Sequence, residues 1–469
     1  MSEAGRRPHP WATFATCCLS LFLVSLDITA MNVALPAIGR DLHTSTTGLQ
    51  WTIDVYTVVI ASFLMMAGAS ADRFGRRRVF RLGLSLFTLG SLSCSLAPSV
   101  GALVGFRILQ AVGGAMLNPV AMSIIVNTFT EPKARARAIG LWGAVFGLSM
   151  ALGPVLGGAL VQGVGWRAIF WINVPVGIAG LFLTVRYVPE SRAERPRRVD
   201  PVGQALVVVG LAALTATLIE GPHAGWGSPV ILGGFALAAA AVVGLVAYER
   251  RRHEPLIELR FFRSIPFASA TVLAVLAFAT FNGALFLSSL YLQQARGLAP
   301  TEAGACMLPI AVALVVCSPL SGRMVAAGLT RRVLVIAGTG MALAGGLLAG
   351  ATVTTPLPLI VTAFCCFGVA LGSINPPITN AAVSGMPRAQ AGVAAGLAST
   401  SRQVGASLGV AIAGSIAVAD PRDPGFSGST HPFWWIVLGS GVAIVVLALV
   451  STGARARRSA DAIASLVAD

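Results

Sequence analysis

Apolar residues run along this chain in long continuous stretches, broken by short segments rich in arginine, glycine and proline. The runs lie near 12–37, 49–71, 80–97, 101–126, 138–162, 167–188 and 201–220, then near 229–248, 267–292, 303–322, 333–352, 357–382, 392–418 and 433–453. About 20 mostly apolar residues suffice to cross the hydrocarbon core of a bilayer as a helix. The runs are continuous rather than alternating at period two, which selects helices over a barrel. The pattern predicts an all-α integral membrane protein with about fourteen transmembrane helices. The first run is too long for the apolar core of a cleavable signal.

Composition agrees. Of 469 residues, 55% are hydrophobic and 11% charged, with a mean hydropathy of +0.80. A soluble chain carries about 25% charged residues, and no polar segment here is long enough to form a separate domain. The formal net charge of +15 could point to nucleic acid, but the basic residues sit in short clusters between apolar runs, as the positive-inside rule requires. With the N-terminus in the cytoplasm and strict alternation, all but five of the 33 basic residues fall on the cytoplasmic side. Arg40, Arg167, Arg296 and Arg422 fall outside and Arg107 lies within a span. Both termini are then cytoplasmic, in a multi-pass protein of the cell membrane whose partners are lipid and small molecules rather than nucleic acid.

A weak repeat implies two related halves. Gly68, Asp72, Gly75 and Arg76 to Arg78 follow the second run, and Gly322, Gly328, Arg331 and Arg332 follow the tenth, with alanine in place of the acid. The halves cover 1–190 and 261–469, the latter ending in a short cytoplasmic tail, and 191–260 holds an extra helix pair with its linkers.

An ionised group at mid-bilayer costs about 2.5–3.5 kcal/mol or more, so each asks for a reason. Asp27 lies roughly 20 Å of helix from the start of its span. Burial there favours reversible protonation, and a carboxylate could also attract a cationic substrate. The competing reading is a structural partner for Arg107. Asp54, near the outer end of the second span, fits either a second cation or proton site or a wetted helix-end acid. Arg107 is read as the only base deep in a span, with Gln110 one turn further on the same face. It fits a gate on the proton site or a static ion pair. In the fifth span, Gly140, Ser149, Gly153, Pro154, Gly157 and Gly158 make a bend and a close-contact surface. At the cytoplasmic turn, Asp72 could cap the start of another helix, while Arg73 and Arg76 to Arg78 anchor the turn.

Other energy sources and chemistries find no support. The single lysine, Lys133, follows Pro132, so the chain has no Gly-Lys-Ser/Thr phosphate loop. The five histidines show no metal spacing or Ser/His/Asp grouping. The seven cysteines all fall in apolar runs and read as small packing residues. No enzyme activity, metal or cofactor is expected; an ion gradient is the remaining energy source.

These motifs resemble those of the fourteen-span drug:proton antiporters of the major facilitator superfamily. Leu26 to Pro36 is similar to their first-helix motif, Gly68 to Arg77 to the cytoplasmic-loop motif and Arg107 to Gly114 to the fourth-helix motif, with Ala111 for a glycine. Gly140 to Gly157 is similar to the antiporter motif, with Ser149 for a glycine. Trp166 to Pro175 and Glu254 to Ile257 are also typical of the branch. The resemblance implies two six-helix bundles plus a two-helix insertion, alternating access, a monomer, and proton-coupled export of amphiphilic or cationic drugs or an endogenous metabolite. It gives Asp27 the proton role and Arg107 the relay role, with Asp54, Gln110 and Asn32 grouped beside them. Gly68, Asp72, Arg73, Gly75, Arg76, Gly153, Pro154 and Gly157 take the conformational role. A transporter of the same fold specific for one amino acid, sugar derivative or metabolite is the alternative.

Overall fold

The computed structural model describes residues 9–193, 200–252, 257–383, 391–418, 430–453, 456 and 458–460. Glu254 to Leu256 of one expected motif, and most of the tail, lie outside them. The elements are α1 (Pro10–Asp41), α2 (Thr46–Phe74), α3 (Arg76–Ser95), α4 (Val100–Thr128), α5 (Pro132–Gly163), α6 (Ala168–Trp171), α7 (Asn173–Tyr187), α8 (Pro201–Ala224), α9 (Pro229–Glu249), α10 (Ile265–Leu290), α11 (Pro300–Ala326), α12 (Thr330–Leu348), α13 (Leu357–Val383), α14 (Ala391–Val418) and α15 (His431–Ser451). No strand occurs among the described residues. Each of the fourteen apolar runs falls on a helix, with α6 and α7 sharing one. Among the described residues, twelve helices are long and apolar enough to cross a membrane. The two other long helices differ for visible reasons. α3 opens on three consecutive arginines, and α14 carries Ser399, Thr400, Ser401, Arg402 and Gln403 in one polar run.

Local chemistry sets the helix starts. Ser45, Ser99 and Ser228 accept hydrogen bonds from backbone N–H groups three residues on, and Asp200 does the same for Gly203 at 3.0 Å; each satisfies a donor the helix cannot. Gly75 joins α2 to α3 at φ 109°, a conformation that favours glycine, and a Cβ there would also meet the Glu190 carboxylate at 2.6 Å.

The helix packing repeats itself. α1 packs on α4, α5 and α7, α2 on α4, and α3 on α4 and α7; correspondingly α10 packs on α13, α14 and α15, α11 on α13, and α12 on α13 and α15. Two seams, α2 with α14 and α5 with α11, join the two sets. Lipid offers no hydrophobic drive for helices to associate, so close approach at small residues has to supply it. Gly158 brings α5 onto the Pro300 carbonyl, and Gly304 brings α11 onto that of Pro154.

α8 bridges the first seam. Its Glu220 accepts from Trp51 Nε1 of α2 at 2.9 Å, and Gln204 donates to the Ser62 carbonyl. Thr215 lies 3.1 Å from Ser407 of α14, and Ser415 donates to the Leu218 carbonyl.

The two sets are locked together at one end. There Ser289 donates to the Asn32 carbonyl (2.6 Å), Gln293 to that of Val33 (3.0 Å) and Gln50 to that of Ala411 (3.1 Å). Gln293 belongs to a π-turn over Tyr291–Ala295, a distortion often found at functional positions. Toward the other end the seam parts. Ile139, Gly140, Leu141, Gly143 and Ala144, spread around most of the circumference of α5, are exposed, whereas Ser149 and Met150 nearer the locked end are buried.

Replacing Gly304 with valine should lower the thermal unfolding temperature of the purified protein sharply, because overpacking already costs about 1–3 kcal/mol where side chains can give way and backbone cannot. Gly101→Val, where a Cβ meets nothing within 4 Å, should unfold close to wild type; equal effects from the two would contradict the packing described.

Candidate functional site

α1 and α4 cross so that Asp27 and Arg107 meet in the interior of the first set of helices. Arg107 Nη1 donates to Asp27 Oδ2 at 2.6 Å, with relative exposures of 1% and 0%. Those values place the pair out of reach of solvent. The same Nη1 donates to Gln110 Oε1 at 2.7 Å. Gln110 Nε2 donates in turn to Asp27 Oδ1 (2.9 Å) and to Ser91 Oγ of α3 (2.7 Å). Asn173 of α7 donates to the same Oδ1 (3.1 Å) and to Ser91 Oγ (3.2 Å). The carboxylate thus receives three donors from two helices besides its own. A charge-assisted network of this kind is what makes a buried charge tolerable.

Glycines make the network possible. A Cβ on Gly90 would sit 2.5 Å from the Gln110 backbone nitrogen, and Gly113 lies against the backbone of Phe87. α3 and α4 therefore approach closely enough for Ser91 to reach Gln110. Arg107 also touches α2: its Nε donates to the Thr52 carbonyl at 3.1 Å, and its guanidinium lies 4.1 Å from the Tyr56 ring centroid. The antiporter-motif residues sit alongside, with Gly153 against Thr29, and a Cβ on Gly157 would lie 2.9 Å from the Ala30 Cα.

Several expectations need correction. Asp27 was read as a carboxyl open to either proton or cargo; it is enclosed by Arg107, Gln110 and Asn173, so no cargo reaches it in this conformation. Asn32 is outside the cluster: its side chain donates to the Ile28 carbonyl at 3.0 Å. Asp54 is also apart, and it is not a wetted acid: it is 0% exposed, and neither carboxylate oxygen has a hydrogen-bond partner. Asp72 does not cap another helix. It pairs with Arg76 at 2.8 Å, and its carbonyl accepts from Ala193. Arg76 N donates to the Ser191 carbonyl and Arg77 N to Glu190, so this turn is tied to the segment after α7. Gly68 faces open space, and the Arg73 guanidinium lies 5.6 Å from the Phe74 ring centroid. Arg107 is not the only deep base. Arg402, counted among the cytoplasmic residues, lies within α14 and donates to Asn375 of α13 (3.2 Å) and to Ser399 (2.7 Å).

Asn173 and Ser91 were not singled out as site residues. Asn173 carried a usable signal, a carboxamide inside an apolar run. Ser91 carried none, because serine recurs throughout the spans.

A multi-pass helical protein with two similarly packed sets of helices, locked at one end, has the architecture of a small-molecule transporter. The family model for the Major Facilitator Superfamily matches residues 17–410, and the chain belongs to that family, whose members are transporters rather than enzymes. It is 39% identical over 403 residues to the multidrug resistance protein Stp of Mycobacterium tuberculosis, covering 86% of this chain and 74% of that protein. It is 39% identical over 424 residues to the tetracenomycin C resistance and export protein of Streptomyces glaucescens, covering 90% and 78% respectively. A peptide transporter POT, solved in complex with sulfate, shares the fold with a TM-score of 0.69 at 15% identity, over 98% of this chain and 97% of that one.

Breaking one side of a buried ion pair costs about 3–5 kcal/mol because the other charge is stranded. Arg107→Gln and Asp27→Asn should each lower thermal stability. The double variant should lose less than the two singles combined, a coupling of about 1 kcal/mol or more. Strict additivity in the thermal unfolding of all four proteins would show that the pair is not coupled.

Proposed function

We propose that the chain is a proton-coupled antiporter of the cell membrane that exports small amphiphilic molecules by alternating access. It works as a monomer of fourteen spans with both termini cytoplasmic. Residues 1–190 and 261–469 form the two six-helix bundles, and α8 and α9, within 191–260, are the inserted pair. The drug-resistance and export roles in the relatives' names support the class of cargo.

One observation carries the coupling: the Asp27 carboxylate lies in a span, neutralised by Arg107. Protonation of Asp27 cancels its charge and weakens its hold on Arg107. Arg107 already grips α2 at Thr52 and Tyr56, and two residues before Thr52, Gln50 holds the α14 carbonyls across the seam. A proton on Asp27 is thereby relayed through one arginine to a helix that closes the locked end. Asp72, Gly75 and Arg76 hold the turn at the parted, cytoplasmic end, and Gly153, Pro154 and Gly157 set the hinge of α5 beside Asp27. Asp54, buried and without a hydrogen-bond partner among the described residues, offers a second place for a proton, since a buried ionised carboxylate without a partner is costly. No cofactor is required.

Asp27→Asn should lose pH-gradient-driven ethidium transport in proteoliposomes by at least tenfold. It should keep gradient-independent exchange of the same dye, which shows that the protein remains folded. Asp27→Glu should retain part of the driven flux. Driven transport by Asp27→Asn at the wild-type rate would remove Asp27 from the coupling role.

A further inference from the structure

The second set of helices holds a charge that makes no ion pair among the described residues. Arg402 lies eleven residues into α14, roughly 16 Å along the helix. Its hydrogen bonds go to two neutral groups, Asn375 Oδ1 and Ser399 Oγ, and no ion pair is made to it among the described residues. Arg107 in the first set has Asp27; Arg402 has no such acid. A lone arginine at this depth is expensive, and this one also keeps donors in reserve: its Nε and the Asn375 amide nitrogen carry no hydrogen bond among the described residues. Both side chains are half-buried rather than sealed.

The side chain leaves α14 on the side away from α8. Ser407 and Ser415 mark the face of α14 that meets α8 on the periphery. Arg402 lies about 140° from each of them around the helix, on the opposite side. Gly405 and Gly409, about 60° and 20° from Arg402 around the helix, pack on the α10 backbone at Val275 and Ala279, so Arg402 lies on the α10-facing side of α14, nearer its start. One turn beyond Asn375 on α13, toward the parted end, Thr379 is exposed. Thr379, Asn375, Ser399 and Arg402 form a row of polar side chains between α13 and α14 that is exposed at Thr379 and ends at a guanidinium without an ion pair among the described residues.

We propose that Arg402, with Asn375 and Ser399, is the cargo subsite for an acidic group, and that the transported molecules include amphiphiles carrying a carboxylate, sulfonate or phenolate. The proposal rests on the transporter reading and narrows it. The planar guanidinium presents paired N–H donors suited to two oxygens of one anionic group, and the Asn375 amide adds a third donor. The bound anion supplies the missing counter-charge and removes it on release. The cargo anion and the proton then occupy different halves of the molecule, at Arg402 and Asp27.

The test uses two fixed-charge aromatic probes, naphthalene-2-sulfonate and ethidium, with the full-length protein in nanodiscs. Equilibrium dialysis should show naphthalene-2-sulfonate binding to wild type, weakened at least tenfold in Arg402→Gln and less so in Arg402→Lys, which keeps the charge but not the paired donors. Ethidium binding should change less than twofold in both variants. Wild type that does not bind the sulfonate, or Arg402→Gln that binds it as wild type does, overturns the proposal. Proton-driven flux of either probe in proteoliposomes is scored separately: its absence overturns the exporter reading, while the dialysis result still decides whether Arg402 holds anions.

Discussion

The ion pair between Asp27 and Arg107 is the constraint around which the first half is organised. Either charge alone would be costly in a lipid-shielded interior. Together they hold only if the remaining lone pairs and N–H groups are satisfied too. That requirement reaches outward. Gln110 must lie one turn from Arg107, Asn173 must come from α7, and Ser91 must join them. For Ser91 to do so, α3 and α4 must touch backbone to backbone, which fixes glycine at positions 90 and 113. A stripe of small residues here serves an electrostatic end.

The same pair is mechanically connected. Arg107 spends its Nε on a carbonyl of α2, and α2 meets the opposite half through Gln50. Backbone carbonyls serve as acceptors at both steps, and also where Ser289 and Gln293 grip α1. The Asn32 carbonyl is open to Ser289 because Pro36, four residues on, has no N–H to donate; the other carbonyls can accept a side chain beside a helical bond, since a carbonyl has two lone pairs. Such contacts can form and break without unwinding a helix. α8 grips α2 and α14 together, so any parting of that seam has to release one side of α8 or carry it along.

The helices were legible because the bilayer writes them directly: every run had to be long, apolar and bounded by polar residues. Asp27 and Arg107 were legible for the converse reason, as charges where charges are costly. Their encirclement was not, because it depends on which faces of α1, α3, α4 and α7 turn inward, and periodicity is weak in helices that are apolar nearly all round. Asp54 shows the same limit: its depth could be counted, but not the absence of any partner. Arg402 was placed on the wrong side of the boundary for another reason. Its neighbours Ser399, Thr400, Ser401 and Gln403 resemble a loop, although a helix inside a protein-lined space can carry such a run.

The two halves pack alike but have diverged in charge. At the turn after α2 the acid Asp72 pairs with Arg76, while the equivalent turn after α11 has Ala326 and no such pair is available. Deep in the helices, Arg107 is answered by Asp27 and Arg402 by neutral side chains alone. A protein that moves one species inward and another outward through a shared space gains from that asymmetry. If both halves were neutralised internally, neither would distinguish a loaded from an empty state by charge. In the mechanism proposed above, one arginine is satisfied by a titratable acid and the other is left for an external partner, so that the first half would respond to protons and the second to cargo. The seams between them, at α2 with α14 and α5 with α11, are where those two responses have to be reconciled.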